Sequence, residues 1–171
     1  TEKLDADDIS KLSGKIKIIS NFAVGVGNID LDAAKKRNIV VTNTPDVLTD
    51  ATAEIAILVL LGAARRAKEG MEWANKKNWK WSADFLMGKQ LSGSRLGILG
   101  MGRIGRAVAD RARSFGMKIH YHNRSRLDKN LEKDAIYHQS FESLLSISDF
   151  FSINCPATKE TKHIINSKTI K

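Results

Sequence analysis

The segment Arg95–Arg126, RLGILGMGRIGRAVADRARSFGMKIHYHNRSR, reads as strand, glycine turn, helix and strand. Leu96-Gly97-Ile98-Leu99 is a short apolar run, the composition of a strand buried on both faces. Gly100, Gly102 and Gly105 follow at G-x-G-x-x-G spacing. The first allows a tight turn, the second lets the backbone approach a pyrophosphate, and the third lets helix and strand pack closely. A helix is expected from Arg103 to about Phe115, carrying Ile104, Ala107, Val108, Arg111, Ala112 and Phe115 mostly at i, i+3, i+4 steps, with Gly116 closing it. Its N-terminus directs N–H groups and a partial positive charge at a phosphate. The spacing alone also fits a glycine-rich corner with no ligand; the flanking strand and helix favour dinucleotide binding.

The end of the second strand refines that reading. A protein that prefers NAD usually places Asp or Glu there, accepting from the ribose 2′-OH. Here Asn123-Arg124-Ser125-Arg126 follows His122, and no carboxylate comes before Asp128. A guanidinium and a hydroxyl suit a 2′-phosphate, through charge-assisted hydrogen bonds of about 1.5–3 kcal/mol, roughly tenfold to a hundredfold in preference for NADP. The alternative is a solvated basic turn.

Composition sets the bounds. The chain of 171 residues suffices for one domain or pieces of two, and its 42% apolar content can bury a core. A net charge of +9 invites a nucleic-acid reading, but Lys and Arg are spread along the chain and no nucleic-acid motif accompanies them. The charge reads instead as solubility and attraction for an anionic substrate and cofactor. The single cysteine, Cys155, excludes an internal disulfide and fits a reducing, cytoplasmic setting. The longest apolar run, Ile55 to Ala64, is too short to span a bilayer, so no membrane partner is expected. The start at Thr1 rather than Met, with no signal peptide, suggests a piece of a longer chain. His120 and His122 share a strand face and are either a metal pair or, as favoured, ordinary strand residues; no metal site is expected.

Upstream, residues 1–46 resemble the tail of a domain that began earlier. A helix is expected within Thr1–Leu12 with Leu4, Ile9 and Leu12 on one face, then a strand at Ile16, Ile18 and Ile19. In the loop Asn21–Asn28, Gly25 and Gly27 either expose N–H groups as an anion-binding nest or form a plain turn. A helix over Asp30–Asn38 and a strand over Ile39–Val41 follow. After Pro45, Thr49 or Asp50 caps a helix from Ala51 to about Ala67, apolar almost all round and so expected to lie buried between layers. The Thr52 hydroxyl in its first turn either bonds the backbone or touches a cofactor.

After Gly70, the window containing Met71, Trp73, Trp79, Trp81, Phe85, Leu86 and Met87 lacks clear periodicity. It is either an arm that packs on a partner chain, the favoured reading, or a flap over its own core. Beyond the glycine motif come a weak helix over Leu127–Lys133, a strand at Ala135–Tyr137, a helix from the Ser140 cap to Ile147, and a strand at Asp149–Asn154. Asn123 and Cys155 fall at the carboxyl ends of strands, where a doubly wound sheet binds its ligands. The second mononucleotide half of such a sheet is not expected in this chain, and Lys171 falls in or just before another helix.

Ala23-Val24-Gly25, Thr44-Pro45-Asp46-Val47-Leu48-Thr49-Asp50, Thr52-Ala53-Glu54, the 97–105 glycine segment and Cys155-Pro156-Ala157-Thr158, in this order, resemble the D-isomer-specific 2-hydroxyacid dehydrogenases, most closely their glyoxylate/hydroxypyruvate reductases. The resemblance implies an α/β fold: an incomplete doubly wound parallel-sheet (Rossmann) cofactor domain plus a piece of a flavodoxin-like substrate domain. Residues 1–46 would be partial substrate domain, 47–88 the interdomain helix and dimer arm, and 89–171 partial NAD(P)-binding domain.

The same resemblance implies an oxidoreductase that passes hydride from NADPH, or possibly NADH, to a small 2-oxo acid such as glyoxylate or hydroxypyruvate. Val24 and Gly25 would offer N–H groups to the substrate carboxylate, and Thr52 would lie near the nicotinamide. Gly100 to Gly105, with Met101, Gly102, Arg103 and Ile104 foremost, would hold the pyrophosphate. Asn123, Arg124 and Ser125 would take the adenosine ribose and its phosphate, Cys155 and Pro156 would flank the adenosine, and Thr161 would approach the cofactor. Trp81 or Phe85 would reach a partner in a homodimer through residues 71–88. The family's catalytic Arg, His and Glu lie downstream of these segments, so no catalytic residue is expected here and the 171-residue chain alone is expected to be inactive. The rival reading is a non-catalytic NAD(P)-sensing protein of the same fold.

Overall fold

A computed structural model describes residues 2–78 and 80–170; Trp79 of the aromatic window, Thr1 and Lys171 lie outside the described residues. The chain forms two compact units: one runs up to Thr49 and takes in Pro156–Ile164, the other comprises Asp50–Cys155 with the segment from Ile165.

In the first unit, α1 (Ala6–Lys11) begins at a capping box. Asp5 accepts from the N–H groups of Asp7 and Asp8, and the Asp8 side chain accepts from the Asp5 N–H. Arg37 closes the other end, its guanidinium donating to the Ile9 carbonyl and, at 2.7 Å, to that of Leu12. β1 (Ile18–Ser20) pairs in parallel with β2 (Val40–Thr42), Ile18 opposite Val40. Between them α2 (Leu31–Lys36) starts where Asp30 accepts from the Ala33 N–H at 2.9 Å. Ile9, Ile29, Ala34 and Ile39 form the core. Leu4, expected on the helix face, instead precedes the helix and bridges Ile29, because Asp5 caps the chain one residue later.

The second unit carries α3 (Thr49–Ala64), α4 (Ala67–Ala74), β3 (Arg95–Leu99), α5 (Arg103–Ser114), β4 (Lys118–His122), α6 (Lys129–Glu132), β5 (Ile136–Tyr137), α7 (Phe141–Ile147) and β6 (Phe150–Ile153). The strands form one parallel sheet in the order β5-β4-β3-β6. Leu96 to Leu99 are buried, as the continuous apolar run requires of a central parallel strand. Asp149, just ahead of β6, accepts from the Arg95 N–H at 2.9 Å and from its Nε at 3.0 Å, pinning the starts of β3 and β6 together. Those donors hold the Asp149 carboxyl well below the usual carboxylate range.

Three expectations change. First, α3 is not buried all round: Ala53, Ile57 and Ala64 pack on the core, whereas Ile55, Leu58 and Val59 are 59%, 64% and 63% exposed. One stripe of a helix faces a sheet, and no described residue covers the opposite stripe. Second, the aromatic window opens on a helix, α4, because Arg66 adopts φ 53° and restarts the chain in a new direction. Trp73 and Phe85 then meet edge to face at 5.6 Å, while Trp81 stays 76% exposed. Third, Phe115 is 40% exposed at the end of α5, and the wholly buried Ala109 takes its place on the inner face.

His120 is buried on β4, its Nδ1 3.0 Å from His138 Nε2. Burial first, then His138 and the cations Arg95 and Lys118, hold its pKa below the ordinary histidine value. The unfolded chain therefore binds the proton first, and this contribution to stability is complete above about pH 6.5 and declines as pH falls below it. Thermal melts should show a midpoint that falls as pH drops below about 6.5, with the decline reduced in His120→Asn. An equal decline in the variant would remove His120 as its cause.

Candidate functional site

The three motif glycines differ in what demands them. Gly100 has φ 92°, and a Cβ there would stand 2.5 Å from the Cys155 backbone nitrogen. The loops leaving β3 and β6 therefore touch. Since β3 has β4 on one side and β6 on the other, they touch at the switch point of the sheet, where such folds bind ligands. A Cβ on Gly105 would lie 2.3 Å from the Gly100 carbonyl oxygen, so α5 packs directly against the turn. Gly102 has neither constraint: its φ is −76°, and a Cβ there would meet nothing within 4 Å. Nothing in the described chain requires glycine at that position. The space above it suits a ligand that approaches the backbone.

Gly102 is also the N-cap of α5, with no side chain to cap it. Among the described residues nothing accepts from the N–H groups of Gly102, Ile104 or Gly105. Uncapped first-turn amides with the helix dipole behind them are an anion site. The Met101 N–H differs, donating to Asn123 Oδ1 at 2.7 Å, while the Met101 side chain is buried. Asn123 thus ties the glycine loop to the end of β4. Arg103 opens the first turn beside these amides.

Beyond Asn123 the chain forms a tip held at both ends. Arg124 and Ser125 are exposed and hydrogen-bond to no described residue. Arg126 is committed: its Nε and Nη2 donate to Glu132 at 3.0 Å and 2.8 Å. The buried Tyr121 hydroxyl donates to Glu132 Oε1 at 2.7 Å and accepts from the Leu127 N–H at 3.1 Å. Arg126 first and Tyr121 second hold the Glu132 carboxyl below its ordinary range, and burial, helped by Glu132, pushes the Tyr121 phenol up to about 12.

In the first unit, the loop after β1 turns its carbonyls inward. The Ala23 oxygen accepts from the Thr44 N–H at 3.0 Å, the Val24 oxygen from Asn43 Nδ2 at 2.8 Å, and the Gly25 oxygen from Asn21 Nδ2 at 2.8 Å. The N–H groups of Val24 and Gly25 have no acceptor among the described residues. Neither Gly25 nor Gly27 has positive φ, so the amides are presented by two asparagine clamps rather than by a glycine nest.

The remaining expected residues fall out unevenly. Thr52, half-buried in the first turn of α3, hydrogen-bonds to no described residue, so the backbone-bonding alternative is not realised. Asp50 and Glu54, flanking it, pair with Arg111 of α5 at 3.0 Å and 3.6 Å. Cys155 is half-buried, and burial raises its thiol pKa. Pro156 is exposed. The Thr161 hydroxyl closes its own turn, donating to the Pro156 carbonyl at 2.8 Å and accepting from the Thr158 N–H at 2.8 Å. Sequence reasoning passed over Asn21, Asn43, Tyr121 and Glu132. The asparagines had a signal, since each directly follows a strand. Among the described residues no three His, Cys, Asp or Glu gather as metal ligands, and no helix is long and apolar enough to cross a membrane.

Residues 57–171 match the family model described as "D-isomer specific 2-hydroxyacid dehydrogenase, NAD binding domain". The chain is 46% identical to a glyoxylate reductase of Thermococcus litoralis, over 100% of this chain and 53% of that protein. It is 45% identical to a glycerate dehydrogenase of Hyphomicrobium methylovorum, over 99% and 54%. Among solved structures, a D-lactate dehydrogenase from Aquifex aeolicus, complexed with NAD and lactic acid, superposes with TM-score 0.89 at 33% identity, covering 98% of this chain and 50% of that one. A glyoxylate reductase from Paecilomyes thermophila gives 0.85 at 41%, covering 99% and 51%. The chain spans about half the length of the curated relatives it matches.

The glycines separate ligand from fold. Gly102→Ala should leave the thermal midpoint nearly unchanged, an N-cap change of about 1 kcal/mol or less, yet weaken dinucleotide binding by about tenfold or more in a titration. Gly105→Ala should instead destabilise the unit by about 1–3 kcal/mol through overpacking, read in denaturant melts.

Proposed function

Because the chain belongs to the D-isomer-specific 2-hydroxyacid dehydrogenases, we propose that it is the cofactor-binding part, with a piece of the substrate-binding part, of an NADPH-preferring reductase of small 2-oxo acids. Glyoxylate is the favoured substrate, after the relatives named glyoxylate reductase, with hydroxypyruvate beside it. The observation that carries the reading is Gly102, a glycine required by neither backbone nor packing, at the uncapped start of α5.

The bound nicotinamide would supply a hydride to the carbonyl carbon of the 2-oxo acid. The work of this chain's residues is binding and orientation. The amides of Gly102 to Gly105 hold the diphosphate, with Asn123 fixing the loop through Met101. Arg124 and Ser125 take the 2′-phosphate, and Thr52 offers its hydroxyl toward the nicotinamide. The Val24 and Gly25 N–H groups donate to the substrate carboxylate. The excess of nine positive charges raises the local concentration of these anions. The exposed Met71, Trp81 and Met87 support a homodimer formed through residues 71–88. No residue here matches the family's catalytic Arg, Glu or His, so the 171 residues alone bind and do not turn over.

Titration of the chain should show NADPH binding roughly tenfold to a hundredfold tighter than NADH, and Arg124→Asp should reverse that order. Unchanged NADPH affinity in the variant would dismiss Arg124 as the reader of the phosphate. Glyoxylate with NADPH should give no absorbance change above the uncatalysed rate; enzymatic turnover would overturn the assignment of the chemistry to residues outside this chain.

A further inference from the structure

We propose that Glu132 is a specificity-determining positioning residue, which locks Arg126 and so decides that Arg124, rather than Arg126, meets the far end of the dinucleotide. This rests on the reading that Arg124 and Ser125 recognise the 2′-phosphate. The sequence offers two arginines to that phosphate, two residues apart. In the structure they are not equivalent. The Glu132 side chain is 5% exposed, whereas that of Arg126 is 62% exposed. A carboxylate so buried needs compensation, and the bidentate guanidinium supplies most of it. Moving Arg126 to a phosphate would strand that carboxylate with one donor, the Tyr121 hydroxyl. Arg126 is therefore held by the desolvation of its partner, at a cost that no such restraint imposes on Arg124.

The lock also shapes the tip. Residue 123 is fixed by its bond to Met101, residue 126 by Glu132, and residue 127 by the Tyr121 hydroxyl. Arg124 and Ser125 alone lie between these anchors. Glu132 sits on the four-residue helix α6, six residues beyond Arg126, yet it fixes both the charge and the placement of the tip. A carboxylate there does not repel a phosphate as an acidic residue at the end of β4 would, because its charge is neutralised by Arg126.

The test is titration of the 171-residue chain with NADPH and NADH, with thermal melts as control, for Glu132→Gln, Arg126→Gln and Arg124→Gln. Glutamine at 132 keeps an acceptor for Tyr121 and removes the charge that holds Arg126. If Glu132 positions the tip, Glu132→Gln and Arg126→Gln both weaken NADPH binding by about tenfold, 1.4 kcal/mol, and leave NADH within about threefold. If Arg126 itself contacts the phosphate, the two variants diverge: Arg126→Gln weakens NADPH binding, whereas Glu132→Gln, which releases Arg126, strengthens it or leaves it unchanged. That divergence overturns the proposal, as does an equal loss of both nucleotides. Should Glu132→Gln fail to fold, the solvent-facing Arg126→Gln carries the test, and an NADPH-to-NADH preference unchanged from the parent overturns the proposal. Arg124→Gln separates the premise: if it leaves NADPH affinity intact, the 2′-phosphate reading has failed, whatever Glu132 does.

Discussion

The second unit depends on one close approach, that of α5 to the turn that precedes it. With the Gly100 carbonyl 2.3 Å from where a Cβ of residue 105 would stand, the helix begins this close to the turn without displacement only because residue 105 has no side chain. With the Cys155 nitrogen 2.5 Å from the corresponding point on residue 100, β3 and β6 can lie side by side only if that residue too is glycine. Two absent methyl groups therefore bring together a strand end, a helix start and a second strand end. The crevice of a doubly wound sheet follows, and with it a place where backbone amides face outward. Interiors pack too tightly for such contacts to be relaxed by small shifts. The outward-facing amides are thus set by the same close contacts that form the core behind them.

Around that contact the chain repeats one device. Of the six described strands, β1, β2, β4 and β6 are each followed directly by asparagine, at 21, 43, 123 and 154. Asn21 and Asn43 donate to loop carbonyls and so leave the neighbouring N–H groups facing outward. Asn123 does the reverse, accepting from the Met101 N–H. An uncharged amide can serve either end of a peptide group, whereas a carboxylate or an ammonium serves only one. It also adds no charge of its own beside the outward-facing N–H groups. Polar clamps of this kind fix loops without the positive φ that a glycine nest would need.

What the sequence made legible follows from how local each cause is. The β3–α5–β4 pattern could be read because alternation of buried strand, glycine turn and amphipathic helix is written in neighbouring residues, and Ser140 announced its helix as a cap. The glycine turn itself was legible in Gly100 to Gly105. The single-stripe burial of α3 was not, because an all-apolar helix does not record which face meets a partner. Nor was the lock on Arg126: Glu132 lies six residues along the chain, and its meaning depends on Tyr121 being buried beside it. The engagement of the Met101 amide escaped for the same reason, as its acceptor is 22 residues away. Pairings across strands and through side chains are set by the tertiary structure, which periodicity does not encode.

The division of labour between backbone and side chain carries the synthesis one step further. Amides at a helix start bind the diphosphate common to every nicotinamide dinucleotide, and they carry no information about the rest of the ligand. That information must come from side chains, and the structure offers few that are uncommitted. Of the polar groups next to the cradle, Asn123 is bonded to Met101, Tyr121 and Arg126 to Glu132, and His122 Nδ1 to the His138 carbonyl at 2.8 Å. Arg124 and Ser125 are left at the tip. A guanidinium already exposed to water and paired with no described residue gives up little when it meets a phosphate, whereas one taken from a buried carboxylate would leave a desolvated charge behind. On the proposed reading of the tip, cofactor choice would be governed as much by the arginine the fold has restrained as by the one it leaves exposed.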